Sequence, residues 1–100
     1  MAVTPIAGLV SVVTTGGTPV TAIAANPNGG IITNPLTATD QNISIAEPLY
    51  IDPVTSPGLA ANGTTFRLEP GQSWLVIPGQ STVTRVNAAT SGHKFSVVSW

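Results

Sequence analysis

The 100-residue chain has no cysteine, so it has no disulfide framework and no thiol chemistry. Charge is nearly as scarce. Charged residues make up 7% of the chain, against about 25% in an ordinary soluble domain. No ionisable side chain precedes Asp40. The charged set is Asp40, Glu47, Asp52, Arg67, Glu69, Arg85 and Lys94, with His93 as the single histidine. Three scattered basic residues cannot form the patch that phosphate contacts need, which argues against nucleic acid as a partner. Met1 to Pro5 carries no basic leader. The apolar stretch from Ile6 to Val13 is broken by Gly8 and Ser11 and falls short of the roughly 18–20 residues that span a bilayer. The expectation is a chain folded without export and without a membrane partner.

Such poverty of charge has a physical consequence. Lone monomers use surface charge to stay soluble and to blunt the edges of their sheets. A chain that omits it is expected to bury surface against copies of itself or against a partner.

What the chain does have is β-branched residues. Val, Ile and Thr together supply 33 positions, in short runs separated by Gly, Pro and Asn. Disordered segments are poor in such residues, and this pattern is that of an all-β domain with many turns. Runs at 6–14 and 18–25 read as strands, with Gly16-Gly17 suited to a tight turn between them. Residues 41–46 alternate, Ile43 and Ile45 against Asn42 and Ser44, which predicts a half-buried strand. Gln72 to Ile77 is apolar at successive positions and predicts a central strand buried on both faces. Further strands are expected at 49–52, 64–69, 81–87 and 94–100. Pro-Gly-Gln-Ser occurs at 70–73 and again at 78–81. Pro followed by Gly fits a type II turn, whose twist does not suit a tight hairpin, so both are expected to be corners where the chain passes between sheets. The fold expected is an all-β sandwich of about eight short strands, jelly-roll-like or immunoglobulin-like. Residues 1–29 read as an uncharged arm or edge hairpin, and residues 30–100 as the sandwich core.

Candidates for chemistry are few. His93 is the one possible general base, and Ser91-Gly92-His93-Lys94 reads as an exposed turn. No Gly-x-Ser-x-Gly elbow accompanies it. The four acids fall on different predicted elements, and their spacing makes neither a paired-carboxylate site nor a metal site. Gly16-Gly17 and Gly29-Gly30 lack the Lys-Ser/Thr of a phosphate loop. The reading is no enzyme, no cofactor and no metal. Trp74 and Phe66 are expected in the core. Trp100, the last residue, needs an anchor, in its own core or in a neighbour. The contact-making residues expected are Val3, Ile6, Leu9, Val10, Val12 and Trp100.

The chain resembles the small β-rich accessory proteins of tailed-bacteriophage virions, the capsid decoration or cement proteins. The features that carry the likeness are the uncharged opening from Ala2 to Ala25, the lack of cysteine and the Pro-Gly-Gln turns. The ending adds Val83-Thr84-Arg85-Val86-Asn87-Ala88-Ala89 and Phe95-Ser96-Val97-Val98-Ser99-Trp100. The likeness is one of composition and transfers no functional residue. It implies a β-sandwich or barrel, often trimeric, that binds the outer capsid where subunits meet. Its partners would be its own copies and the major capsid protein, on the virion surface after assembly in the host cytoplasm. A sugar-binding or adhesin module is the alternative, and it would need aromatic rings exposed together.

Overall fold

The computed structural model describes residues 5–100, with only the backbone described for Ile6 and Ala7. The contact expected at Val3 lies outside the described residues. The described chain forms ten strands and one short helix. The strands are β1 (Ile6–Ala7), β2 (Val12–Val13), β3 (Val20–Ile23), β4 (Gly30–Thr33), β5 (Leu49–Asp52), β6 (Phe66–Leu68), β7 (Ser73–Val76), β8 (Thr84–Asn87), β9 (His93–Lys94) and β10 (Ser96–Ser99). The helix α1 (Ala38–Gln41) lies between β4 and β5.

Two four-stranded antiparallel sheets form a sandwich, in the orders β1-β10-β4-β7 and β3-β8-β5-β6; β2 and β9 form a small separate ribbon. The pairing is nested. β1 pairs with β10, β2 with β9, β3 with β8, β4 with β7 and β5 with β6. The chain is therefore one long hairpin, wound so that β10 also joins β4 and β8 also joins β5. That winding is the jelly roll. It sets aside the immunoglobulin-like alternative, in which early strands pair with one another.

The core lies between the sheets. Ile32 and Val76 of the first sheet face Ile23, Leu49, Ile51, Leu68 and Val86 of the second, with Val13, Ala22, Ala88 and Phe95 filling in. Both Pro-Gly corners form as expected. Gln72 N–H donates to Glu69 O at 3.0 Å with Gly71 at φ 89°, and Gln80 N–H donates to Ile77 O at 3.2 Å with Gly79 at φ 74°. The first corner carries the chain from β6 to β7 and the second from β7 to β8, each time from one sheet to the other.

Three expectations need correction. The runs at 6–14 and 18–25 do not form a hairpin with each other. Thr15 to Thr18 does make a turn, with Thr18 N–H on Thr15 O at 3.0 Å, but its flanking strands pair with β9 and β8. Residues 41–46 are not a strand. Thr37 caps α1 by accepting from Asp40 N–H at 3.2 Å, and Asn42 ends it in the left-handed region at φ 63°. Ile45 is left 80% exposed. Finally, β7 lies at a sheet edge, not at its centre. Trp74 and Val76 face the core, while Leu75 is 65% exposed.

Candidate functional site

No strand of the β1-β10-β4-β7 sheet carries an ionisable side chain. The charges sit elsewhere. Asp52, Arg67 and Arg85 belong to β5, β6 and β8 of the opposite sheet, and Lys94 to the ribbon. Asp40 is in α1, and Glu47 and Glu69 are in connections.

Alternation along the strands decides what the uncharged sheet shows to solvent. Trp74, Ile32 and Val97 stand opposite one another and pack inward. One residue along, Leu75, Ile31 and Val98 stand opposite one another on the outer face. A second outer row is Ser73, Thr33 and Ser96, with the hydroxyls of Thr33 and Ser73 hydrogen-bonded at 2.7 Å. Ile77, directly after β7, is 68% exposed. At the other end Leu36 is also exposed and lies over the Gly71 corner. The outer face is thus a branched-aliphatic row beside a hydroxyl row, without a formal charge.

The edges differ in the same way. β6, an edge of the opposite sheet, carries the exposed Arg67, ion-paired with Glu69 just beyond the strand. β3, the other edge of that sheet, is bulged between Thr21 and Ile23, and Ala22 O accepts from Leu9 N–H at 2.9 Å. Charges and bulges are devices that keep edges from pairing with other chains. β7 has neither.

Of the sequence-predicted contact residues, Ile6 falls in β1, at the edge of this sheet, while Leu9, Val10, Val12 and Trp100 lie outside its strands. Leu9 and Val10 are exposed in the connection from β1 to β2, where the Leu9 N–H is bound to β3. Val12 pairs with Lys94 in the ribbon. Trp100 is half-buried against its own chain at Gly29. The residues that sequence reasoning missed are Leu75, Ile31 and Ile77. Their signal was the apolar run at 72–77, in which one face belongs to the core and the other to the surface.

Two polar clusters hold Asp52, Glu47 and His93. Asp52 is fully buried at the end of β5. Its Oδ1 accepts from the backbone N–H groups of Val54 and Thr55, each at 2.8 Å. The hydroxyls of Thr55, Thr64 and Thr65 complete the cage at 2.8–3.0 Å. Burial pushes this carboxyl upward, but the donated hydrogen bonds outweigh it and hold the group at about 2. The cage ties both ends of the long 53–65 connection to β5.

The second cluster surrounds His93. The expectation of an exposed turn histidine is overturned, because the ring is fully buried. Its Nε2 lies 2.8 Å from Asn34 Oδ1 and its Nδ1 3.1 Å from Glu47 Oε1. Asn34 Nδ2 donates to the carbonyls of Glu47 and Leu68, each at 3.0 Å. Gln41 Nε2 donates to Asn34 Oδ1 and to the carbonyls of Pro35 and Glu47, and Gln41 Oε1 accepts from Glu47 N–H at 2.9 Å. Thr90 donates its N–H and its hydroxyl to the Glu47 carboxylate at 2.9 and 2.7 Å. Burial pushes Glu47 upward, and the bonds from Thr90 and His93 more than reverse this, leaving it below its ordinary value. A shallow cavity of about 300 Å³ lies beside Glu47, lined by Ile43 to Glu47 and Thr90. The His93 ring keeps no free nitrogen for a substrate, so this arrangement braces the fold and offers no base. Among the described residues, no three His, Asp or Glu side chains gather where they could hold a metal ion.

No protein-family model, curated protein or solved structure matches this chain.

Proposed function

We propose that this protein is a structural, non-enzymatic virion component, a decoration or cement protein. In this reading it docks on a phage capsid surface through the uncharged outer face of the β1-β10-β4-β7 sheet and associates with its own copies, most simply as a trimer. The observation that carries the reading is the segregation of charge. Every charged side chain lies off this sheet, and its outer face is aliphatic and hydroxylic. Desolvating such a face costs little, and its apolar atoms gain about 25 cal/mol for each Å² removed from water. The unguarded β7 edge beside it adds a route for strand addition. The jelly-roll fold is shared by viral capsid domains and by lectins, which is support by analogy only. Each copy would add a modest interface, and many copies on a lattice would act together.

The experiment is solution mass by light scattering, followed by co-sedimentation with phage capsids stripped of their decoration proteins. The wild-type chain, 10.1 kDa, is expected as an oligomer of about 30 kDa that binds the particles. Leu75→Lys is expected to keep the fold and lose both properties. A wild-type monomer that ignores capsids would overturn the reading. An unimpaired Leu75→Lys variant would remove the proposed face.

A sugar-binding module is the second reading, and one observation favours it. The half-exposed Phe66 ring stands 4.5 Å from Trp74, tilted by 36°, where the β6 and β7 edges meet. The Trp74 indole N–H is buried and finds no acceptor among the described residues. Tryptophan fluorescence during titration with polysaccharide tests this: quenching supports it, and an unchanged spectrum removes it.

A further inference from the structure

We propose that Asn62-Gly63 is a self-modifying site: the Asn62 side-chain amide is lost to attack by the Gly63 backbone nitrogen, and the product loosens the threonine cage of Asp52. The chain holds two Asn-Gly pairs, Asn28-Gly29 and Asn62-Gly63. In such a pair the second residue has no side chain to shield its backbone nitrogen, which can then reach the asparagine side-chain carbonyl. The other asparagines precede Pro27, Pro35, Ile43 and Ala88. Proline has no N–H, and isoleucine and alanine crowd the nitrogen.

The step needs only water and its hydroxide. Hydroxide takes the Gly63 N–H proton. The nitrogen attacks Asn62 Cγ, a C–N bond closes a cyclic imide, the Cγ–Nδ2 bond breaks, and Nδ2 takes a proton from water and leaves as ammonia. Water then opens the imide at either carbonyl. Opening at Cγ restores the backbone and leaves an aspartyl side chain. Opening at the backbone carbonyl routes the chain through Cβ and Cγ, an isoaspartyl linkage with an extra backbone atom. Nothing is oxidised or reduced.

The fold treats the two pairs differently. Asn62 and Gly63 are both exposed in the 53–65 connection. A Cβ at Gly63 would meet nothing within 4 Å, so solvent reaches its N–H, which meets no acceptor among the described residues. Gly63 stands at φ 56°, and turning the Asn62 carbonyl breaks one turn bond, Thr65 N–H to Asn62 O at 2.9 Å. At the other pair Asn28 is exposed, but Gly29 is buried. Trp100 clasps that pair from both sides, accepting from Asn28 N–H at 2.7 Å and donating to Gly29 O at 3.0 Å. Its indole fills the space beside the Gly29 Cα. Turning Gly29 N towards Asn28 Cγ breaks the clasp, and burial keeps hydroxide from that nitrogen.

The consequence lies two residues along. The hydroxyls of Thr64 and Thr65 donate to Asp52 at 2.8–2.9 Å. The isoaspartyl form lengthens the backbone just before them. It also makes Asn62 O, the acceptor of Thr65 N–H, part of a free carboxylate. The turn that sets both threonines over Asp52 is then lost. Either product puts a new negative charge on an exposed turn, in a chain of formal net charge -1.

The test holds the full chain in warm, mildly alkaline water enriched in ¹⁸O, then digests it for mass spectrometry. The peptide with Asn62 is expected to take up heavy oxygen and split into aspartyl and isoaspartyl isomers. Asn28 is expected to convert more slowly by about tenfold or more, because its clasp of hydrogen bonds must open first. In urea, where the clasp is gone, the two rates are expected to converge. An unchanged Asn62, or equal rates at both pairs in the folded chain, overturns the site. The melting temperature of the aged wild type is expected to fall by about 4 °C or more, the shift for one lost hydrogen bond in a domain of this size. Asn62→Ser aged in the same way is expected to keep its own. A converted wild type that melts with the fresh chain overturns the link to the Asp52 cage. If Asn62→Ser does not fold, the peptide rates and the wild-type melts still decide.

Discussion

Trp100 closes on Gly29. The Trp100 N–H donates to Gly29 O at 3.0 Å, Asn28 N–H donates to Trp100 O at 2.7 Å, and the indole occupies the space where a side chain on Gly29 would begin. A Cβ built there meets the indole at 2.8–2.9 Å. The last residue of the chain is thus a cover over the start of β4. Gly29→Ala is expected to displace the ring and cost about 1–3 kcal/mol, the range for overpacking. Urea denaturation followed by tryptophan emission checks this. An unchanged midpoint would show that the ring does not rest on Gly29.

Asp52 gives the fold an acid limit. Its folded value of about 2 stands below the ordinary 3.8, so the carboxylate contributes about 2 kcal/mol above pH 4. That contribution is lost as pH falls from about 4 through 2. Asp52→Asn is expected to cost about 1–3 kcal/mol at neutral pH, because an NH₂ group replaces an acceptor facing donors. It is also expected to flatten this acid limb. Stability of both chains measured by denaturant at pH 2, 3, 4 and 7 tests it; parallel curves would contradict it.

How far the sequence anticipated this fold depends on whether the deciding contacts are local. The Pro-Gly corners were legible because Pro70 and Pro78 set their own φ while Gly71 and Gly79 take a positive one. The β-rich class was legible from the β-branched runs. The segment 41–46 was not, since Ile43 and Ile45 alternate as a strand would. What decides against the strand is the Gln41 amide, satisfied by Asn34, Pro35 and Glu47. His93 was misread for the same reason. Its partners lie 46 and 59 positions away, beyond any local pattern. At β7 the pattern was right and its interpretation was not. Apolar residues on two faces read as two covered faces, but β7 is an edge strand and this chain leaves its second face exposed. Leu75 and Ile77 are that second face.

The His93 cluster also separates two kinds of variant. Thr90→Val removes the hydroxyl that bonds Glu47 Oε2 and leaves the backbone N–H bond in place. It is expected to cost about 1 kcal/mol and to raise the Glu47 titration towards its ordinary value. Asn34→Leu strips the acceptor from His93 Nε2 and the donors from two buried carbonyls. It is expected to cost about 3 kcal/mol or more. Carboxylate titration by NMR for the first, and chemical denaturation for both, are the measurements. Equal costs would mean that the cluster is held by packing and not by its hydrogen bonds.

The two corners allow backbone strain to be weighed apart from packing. A Cβ on Gly79 would meet nothing within 4 Å, so Gly79→Ala pays only for the left-handed conformation, about 1–2 kcal/mol. At Gly71 the φ is also positive, 89° against 74° at Gly79, and the added carbon would stand 3.2 Å from Leu36 Cδ1. Leu36 is exposed and its terminal methyl can shift, so the extra cost there is expected to be small. Both variants should then unfold at similar denaturant concentrations, and Gly71→Ala,Leu36→Ala should gain nothing over Gly71→Ala. A Gly71→Ala variant much weaker than Gly79→Ala would mean that Leu36 is fixed over the corner. The aliphatic row on the outer face would then extend rigidly past the end of β7.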